Sequence, residues 1–241
     1  MSSDLSDRFE FLLFDGFSNM VLASVLEPLR DVKMRSNQTH ISLTISTVGG
    51  DSVRSSSGLT IQPDGMFDSQ EQHRILVLVA GYQTRQLSSK PVAEALRRAA
   101  RGATTVIAAD PAPWLLAEAG LLDGHAATIH WQELDAFREC FVNIDVSDAR
   151  FVQSGRFITC GGASTALDMT LDFIQSRYGA AAAFEASNMF IYDPARQKEL
   201  GRGAERLKDK ASPKLVAALD VMAEHIENPL TTFELAERVS V

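Results

Sequence analysis

The chain has 241 residues, 45% of them apolar, enough for one large α/β domain and a small appendage. Its formal net charge of −8 argues against a protein that coats nucleic acid with its whole surface. The two cysteines, Cys140 and Cys160, offer no metal-ligand spacing and fit a reducing compartment. The polar, acidic start and the lack of a membrane-length apolar run predict a cytoplasmic protein without signal peptide or membrane partner.

In chain order, Phe9 to Phe14 is near-continuously apolar, as an inner parallel strand should be. Asp15 to Ser18 turns the chain, Ser18 can cap a helix, and a helix is predicted from about Asn19 to Met34 with Pro28 inside it. Glu27, just before Pro28, is either a solvated helix charge or a carboxylate at a helix irregularity. Ile41 to Val48 alternates as a second strand, Gly49-Gly50-Asp51 turns, and Val53 to Ile61 suggests a hairpin ended by Pro63-Asp64-Gly65. Ile75 to Ala80 is the clearest buried strand. Gly81-Tyr82-Gln83 follow at its carboxyl end, where open α/β sheets bind ligands. Gly81 allows a ligand to approach the backbone, or serves an ordinary loop turn. Pro91 opens the next helix.

Thr104 to Ala109 is too short for a helix and reads as another buried parallel strand. Asp110 and Pro111 turn tightly into a helix from Ala112 to Ala119. A strand–turn–helix of this kind raises one side chain above the sheet edge, and hydrolases put a nucleophile there. Here the raised residue is a carboxylate, a nucleophile in few chemistries but a good counter-charge for a cation. Trp114 lies in the first helical turn, either as core or as an aromatic face for an alkylated ammonium. Beyond Asp123-Gly124 comes His130, a structural histidine or a neighbour of Asp110. Phe141 to Ile144 suggests a short strand. Phe151 to Gln153 and Arg156 to Cys160 suggest a hairpin, with Cys160 a rival nucleophile. Helices follow over Ala163 to Tyr178 and Ala180 to Met189.

From Asp193 to Lys214 the chain carries seven Lys or Arg, as expected of a basic linker. Ser212-Pro213 starts a fresh helix, and Thr231-x-x-Glu234 is a capping box opening another.

LLAEAGLLDG followed by ATIHW resembles the PfpI-type, class I glutamine-amidotransferase-like domain at the N-terminus of many AraC-family transcription regulators. VRSSSGLTI and FITCGGASTALDM are similar to further segments of that domain. PLTTFELAERVSV resembles the start of the AraC-type first helix-turn-helix. The resemblance implies a flavodoxin-like three-layer α/β sandwich with a mostly parallel sheet over residues 1–193. A basic linker over 194–211 and a truncated DNA-binding module over 212–241 follow. In enzymes of the superfamily the elbow residue is Cys; here it is Asp110, which argues against thiol chemistry. V-L-E-P-L-R resembles the segment whose acid faces the elbow, which implicates Glu27. The expected protein is a homodimeric regulator without cofactor or bound metal. It senses a small nitrogenous effector between Glu27, Gly81, Tyr82, Asp110, Pro111, Trp114 and His130, and meets DNA through the missing C-terminal module. The alternative is an amidase, hydrolase or lyase of the same fold.

Overall fold

The computed structural model describes residues 7–35, 41–81, 83–190 and the positions 221, 230, 231, 234, 235 and 238. The chain divides after Met189. The expected boundary at Asp193 and the basic linker lie outside the described residues.

The apolar runs do become inner strands. Among the described residues, β1 (Asp7–Leu13), β2 (Ile41–Thr47), β5 (Gly65–Met66), β6 (Arg74–Val79), β7 (Ala103–Ala109), β10 (Phe151–Ser154) and β11 (Phe157–Cys160) form one sheet. The order is β10-β11-β7-β6-β1-β2-β5, and only β10 runs antiparallel. β6 is buried along its whole length because it is central and covered on both faces. Its alternation makes the layers. Leu76 and Leu78 pack with Leu96, Val106 and Leu116 on one side, while Ile75, Val77 and Val79 pack with Val25, Leu29 and Met169 on the other. The first side is covered by α3 (Lys90–Gly102), α4 (Pro113–Glu118) and α5 (Leu134–Cys140). The second is covered by α1 (Asn19–Arg35), α6 (Ala163–Tyr178) and α7 (Ala180–Met189). This is the expected three-layer sandwich.

At the amino end of the sheet, buried Arg74 pairs with Glu10, and Asp7 accepts from Arg177 and from the Tyr178 hydroxyl. At the carboxyl end, the predicted hairpin forms from β3 (Val53–Arg54) and β4 (Thr60–Ile61), and the segment after β6 forms a short helix, α2 (Thr84–Leu87).

One expected strand is displaced. Phe141 to Ile144 is a turn, and the strand is the next pair, β9 (Asp145–Val146), parallel to β8 (Ala126–Ala127). The reason is that Phe141 caps α5 and packs its ring 5.1 Å from Trp114 and from Phe137, so its apolar character serves the helical layer. In the C-terminal stretch the capping box is formed. Thr231 N–H donates to Glu234 Oε2 at 2.9 Å, and Glu234 N–H donates to Thr231 Oγ1 at 3.3 Å. Among the described residues no helix is long and apolar enough to cross a membrane.

Candidate functional site

Asp110 follows the last residue of β7 with φ of 63°, in the left-handed region that few residues other than glycine enter. Asp tolerates it better than most, and the turn is strapped on two sides. The Asp110 N–H donates to the Cys160 carbonyl at 3.0 Å, and its carbonyl accepts from the His130 N–H at 3.4 Å. The strained turn expected of an elbow is therefore present, held between the end of β11 and the segment after β8.

The side chain it raises is largely buried, and burial pushes the Asp110 carboxyl up to about 7. The His130 Nε2 lies 3.9 Å from Asp110 Oδ1. Gln132 N–H donates to His130 Nδ1 at 3.4 Å, which leaves Nε2 as the protonated nitrogen of the neutral ring. Burial lowers the His130 pKa, and Glu133 offsets part of this. The expected neighbours thus meet, but both environments work against charge, so they form no strong ion pair near neutral pH.

Cys160 is fully buried, and burial pushes its thiol up to about 12 although the amides of Gly162 and Asp110 pull the other way. A thiol in that state is no nucleophile. The rival role for Cys160 fails on this ground.

Trp114 is core and aromatic face together. Its Nε1 donates to Glu118 Oε1 at 3.2 Å, and Phe137 and Phe141 pack against it at 5.8 and 5.1 Å between ring centroids. The ring face already has a cation. The Arg85 guanidinium carbon stands 4.0 Å from the ring centroid, and Arg85 is ion-paired with Glu133. The gap lined by Thr84, Arg85, Pro111, Trp114 and Glu133 has a volume of about 10 Å³, room for one water at most. Neither Arg85 nor Glu133 was visible as a site residue in the sequence. A basic side chain in a loop after a buried strand, with an acid two residues past Trp131, was the only signal.

Two expected site residues have other roles. Gly81 is required by the fold: a Cβ there would lie 1.7 Å from the Gly16 carbonyl oxygen, where the loops after β1 and β6 cross. What approaches its backbone is this chain. Glu27 is carried away from the elbow. α1 starts at the carboxyl end of the sheet, where Asn19 donates to Ser55 Oγ at 2.9 Å, and runs back towards the amino end to reach β2. Glu27 lies eight positions further on, roughly 12 Å along the axis. It pairs with Arg30 at 2.7 Å and adds nothing to the Asp110 shift, which is caused by burial. Pro111 is buried beside Trp114. Tyr82 lies outside the described residues.

A larger cavity of about 230 Å³ opens at the carboxyl ends of β1 and β2, lined among others by Asp15, Asp51, Val53, Leu87 and Val92. Asp15 Oδ1 there accepts from the Arg54 N–H at 2.8 Å.

Residues 8–176 match the model of the DJ-1/PfpI family. The chain is 34% identical to the HTH-type transcriptional regulator CdhR of Pseudomonas aeruginosa over 98% of its own length and 71% of that protein. It is 32% identical to the HTH-type transcriptional regulator GlxA of Rhizobium meliloti over 97% of its length and 73% of that protein. Among solved structures, an AraC family transcriptional regulator from Pseudomonas putida superposes with a TM-score of 0.68 at 21% identity, covering 76% of this chain and 99% of that one. Drosophila melanogaster DJ-1beta superposes with a TM-score of 0.63 at 22% identity, over 78% of this chain and 99% of that one. The structural likenesses establish the fold.

Proposed function

The chain belongs to the DJ-1/PfpI family, in the form carried by HTH-type, AraC-family transcription regulators, and on that premise we propose that its α/β domain is the effector-sensing half of such a regulator, answering to a small nitrogenous cation. The observation that carries this is the elbow: the strained turn is kept, while its side chain is a buried carboxyl and the nearby Cys160 thiol is fully buried. A site that keeps the architecture without a nucleophile is suited to holding a molecule rather than transforming it. The nitrogenous class is suggested by the surroundings, an aromatic face beside a carboxylate at Trp114 and Glu133. The protein acts in the cytoplasm as a homodimer. Effector binding shifts the balance of two arrangements that space the DNA-binding modules beyond the capped helix at Thr231.

The test is a thermal-shift and calorimetric screen of the 241-residue chain against small ammonium and guanidinium compounds, with neutral and anionic analogues alongside. Saturable stabilisation by cations is the expected result. Preference for anionic or neutral compounds overturns the cation assignment. Steady turnover of an amide or glyoxal, abolished by Asp110→Ala, overturns the sensor reading in favour of an enzyme.

A further inference from the structure

On the sensor reading above, we propose that Trp114 and Glu133 form the cation site itself, and that Arg85 holds this clamp as a built-in competitor which the effector must displace. The effector would then be a small molecule carrying a guanidinium or a similarly weakly hydrated organic cation.

The argument starts from what Arg85 does. A guanidinium is recognised in two ways: by an aromatic face against its plane and by a carboxylate at its N–H edge. Both are met at once, by the Trp114 ring at 4.0 Å and by the Glu133 carboxylate. The chain's own side chain therefore shows the chemistry the clamp selects.

The receiving side is rigid. The Trp114 ring is anchored by its Nε1 bond to Glu118 and wedged by Phe137 and Phe141, and Pro111 closes the wall next to the elbow. A clamp whose geometry is set beforehand loses little on binding.

The occupant is held lightly. Arg85 stands on α2, four residues long, whose N-cap residue Gln83 makes no side-chain capping bond. Its side chain is 52% exposed and that of Glu133 31% exposed, so both contacts are of the screened, weak kind. The remaining gap of about 10 Å³ fixes the order of events. A ligand cannot join Arg85 in the clamp; it has to replace it.

Replacement has a route outward. α2 also carries Thr84, whose hydroxyl donates to the Gly81 carbonyl at 2.5 Å, and Leu87, which lines the larger cavity at the ends of β1 and β2. Release of Arg85 acts on the element that separates the clamp from that cavity. The larger cavity is lined by two acids, Asp15 and Asp51, and the Asp15 carboxylate is already engaged by the Arg54 amide.

The test compares Arg85→Ala with the wild-type 241-residue chain, using methylguanidinium as probe and methylurea as its neutral counterpart. By calorimetry, methylguanidinium should bind Arg85→Ala at least tenfold more tightly than wild type, because the competing side chain is gone. Adding Glu133→Gln should weaken that binding at least fivefold, and methylurea should bind neither chain. Equal affinity of the two chains for methylguanidinium, or equal binding of methylurea, overturns the proposal. The two readings fail separately. If wild type binds cations and Arg85→Ala leaves that affinity unchanged, the clamp falls and the sensor stands. If methylguanidinium binds Arg85→Ala while wild type responds only to anionic or neutral compounds, Trp114 and Glu133 stand as a cation site, and the displacement of Arg85 by the effector falls together with the cation-sensor reading.

Discussion

Replacing Asp110 with Asn isolates the consequence of burying an acid at the elbow. Asn fits the left-handed conformation at φ of 63° and keeps the side-chain shape while removing the charge. The Asp110 carboxyl is pushed from its ordinary 3.8 up to about 7 by burial. The folded state therefore binds a proton more tightly than the unfolded chain. The stability this contributes is fully present below about pH 4 and is lost as pH rises through 7. At about 1.4 kcal/mol per pH unit, the full loss is about 4 kcal/mol, and the part falling between pH 5.5 and 8 is about 2 kcal/mol. Asn has no such loss. The margin by which Asp110→Asn exceeds wild type should thus grow by about 2 kcal/mol between pH 5.5 and 8, or roughly 4–8 °C in Tm for a domain of this size. Thermal melts of both chains across that range measure it. A margin that stays flat with pH, or shrinks, refutes the claim that the native carboxyl is held in a desolvating site.

Two further outcomes follow from the same loops and strands. Gly81→Ala should destabilise the domain by about 3 kcal/mol or more in urea unfolding, since its methyl has nowhere to go against the Gly16 carbonyl; a cost below about 1 kcal/mol contradicts the crossing of the two loops. Iodoacetamide should label exposed Cys140 in the native chain and reach buried Cys160 only in denaturant, as read by mass spectrometry of digested protein. Rapid native labelling at Cys160 would show that the thiol is neither buried nor held protonated.

Much of the site's frame was legible in the sequence, and the reason is local. β6 and β7 are unbroken apolar runs bounded by turn residues, and a central parallel strand buried on both faces cannot look otherwise. Asp-Pro after Ala109 announces a tight turn into a helix, and the resemblance at LLAEAGLLDG and ATIHW brought His130 to it. The Thr231 to Glu234 capping box is likewise a matter of neighbouring residues. Phe141 misled because an aromatic residue suits a strand or a helix cap equally well, and its partners, Trp114 and Phe137, come from other parts of the chain.

What the order of residues determined by itself was the inner strands and the acid on the turn after β7, because periodicity and turn chemistry act over a few residues; the three-layer sandwich was what the family resemblance implied. Who meets whom at the carboxyl edge was decided only by tertiary structure. Arg85 covering Trp114, Gly16 crossing Gly81 and α1 carrying Glu27 away all join segments distant along the chain. Burial, too, exists only once the layers close, and burial is what turns Asp110 from an ordinary acid into a carboxyl that holds its proton to about 7.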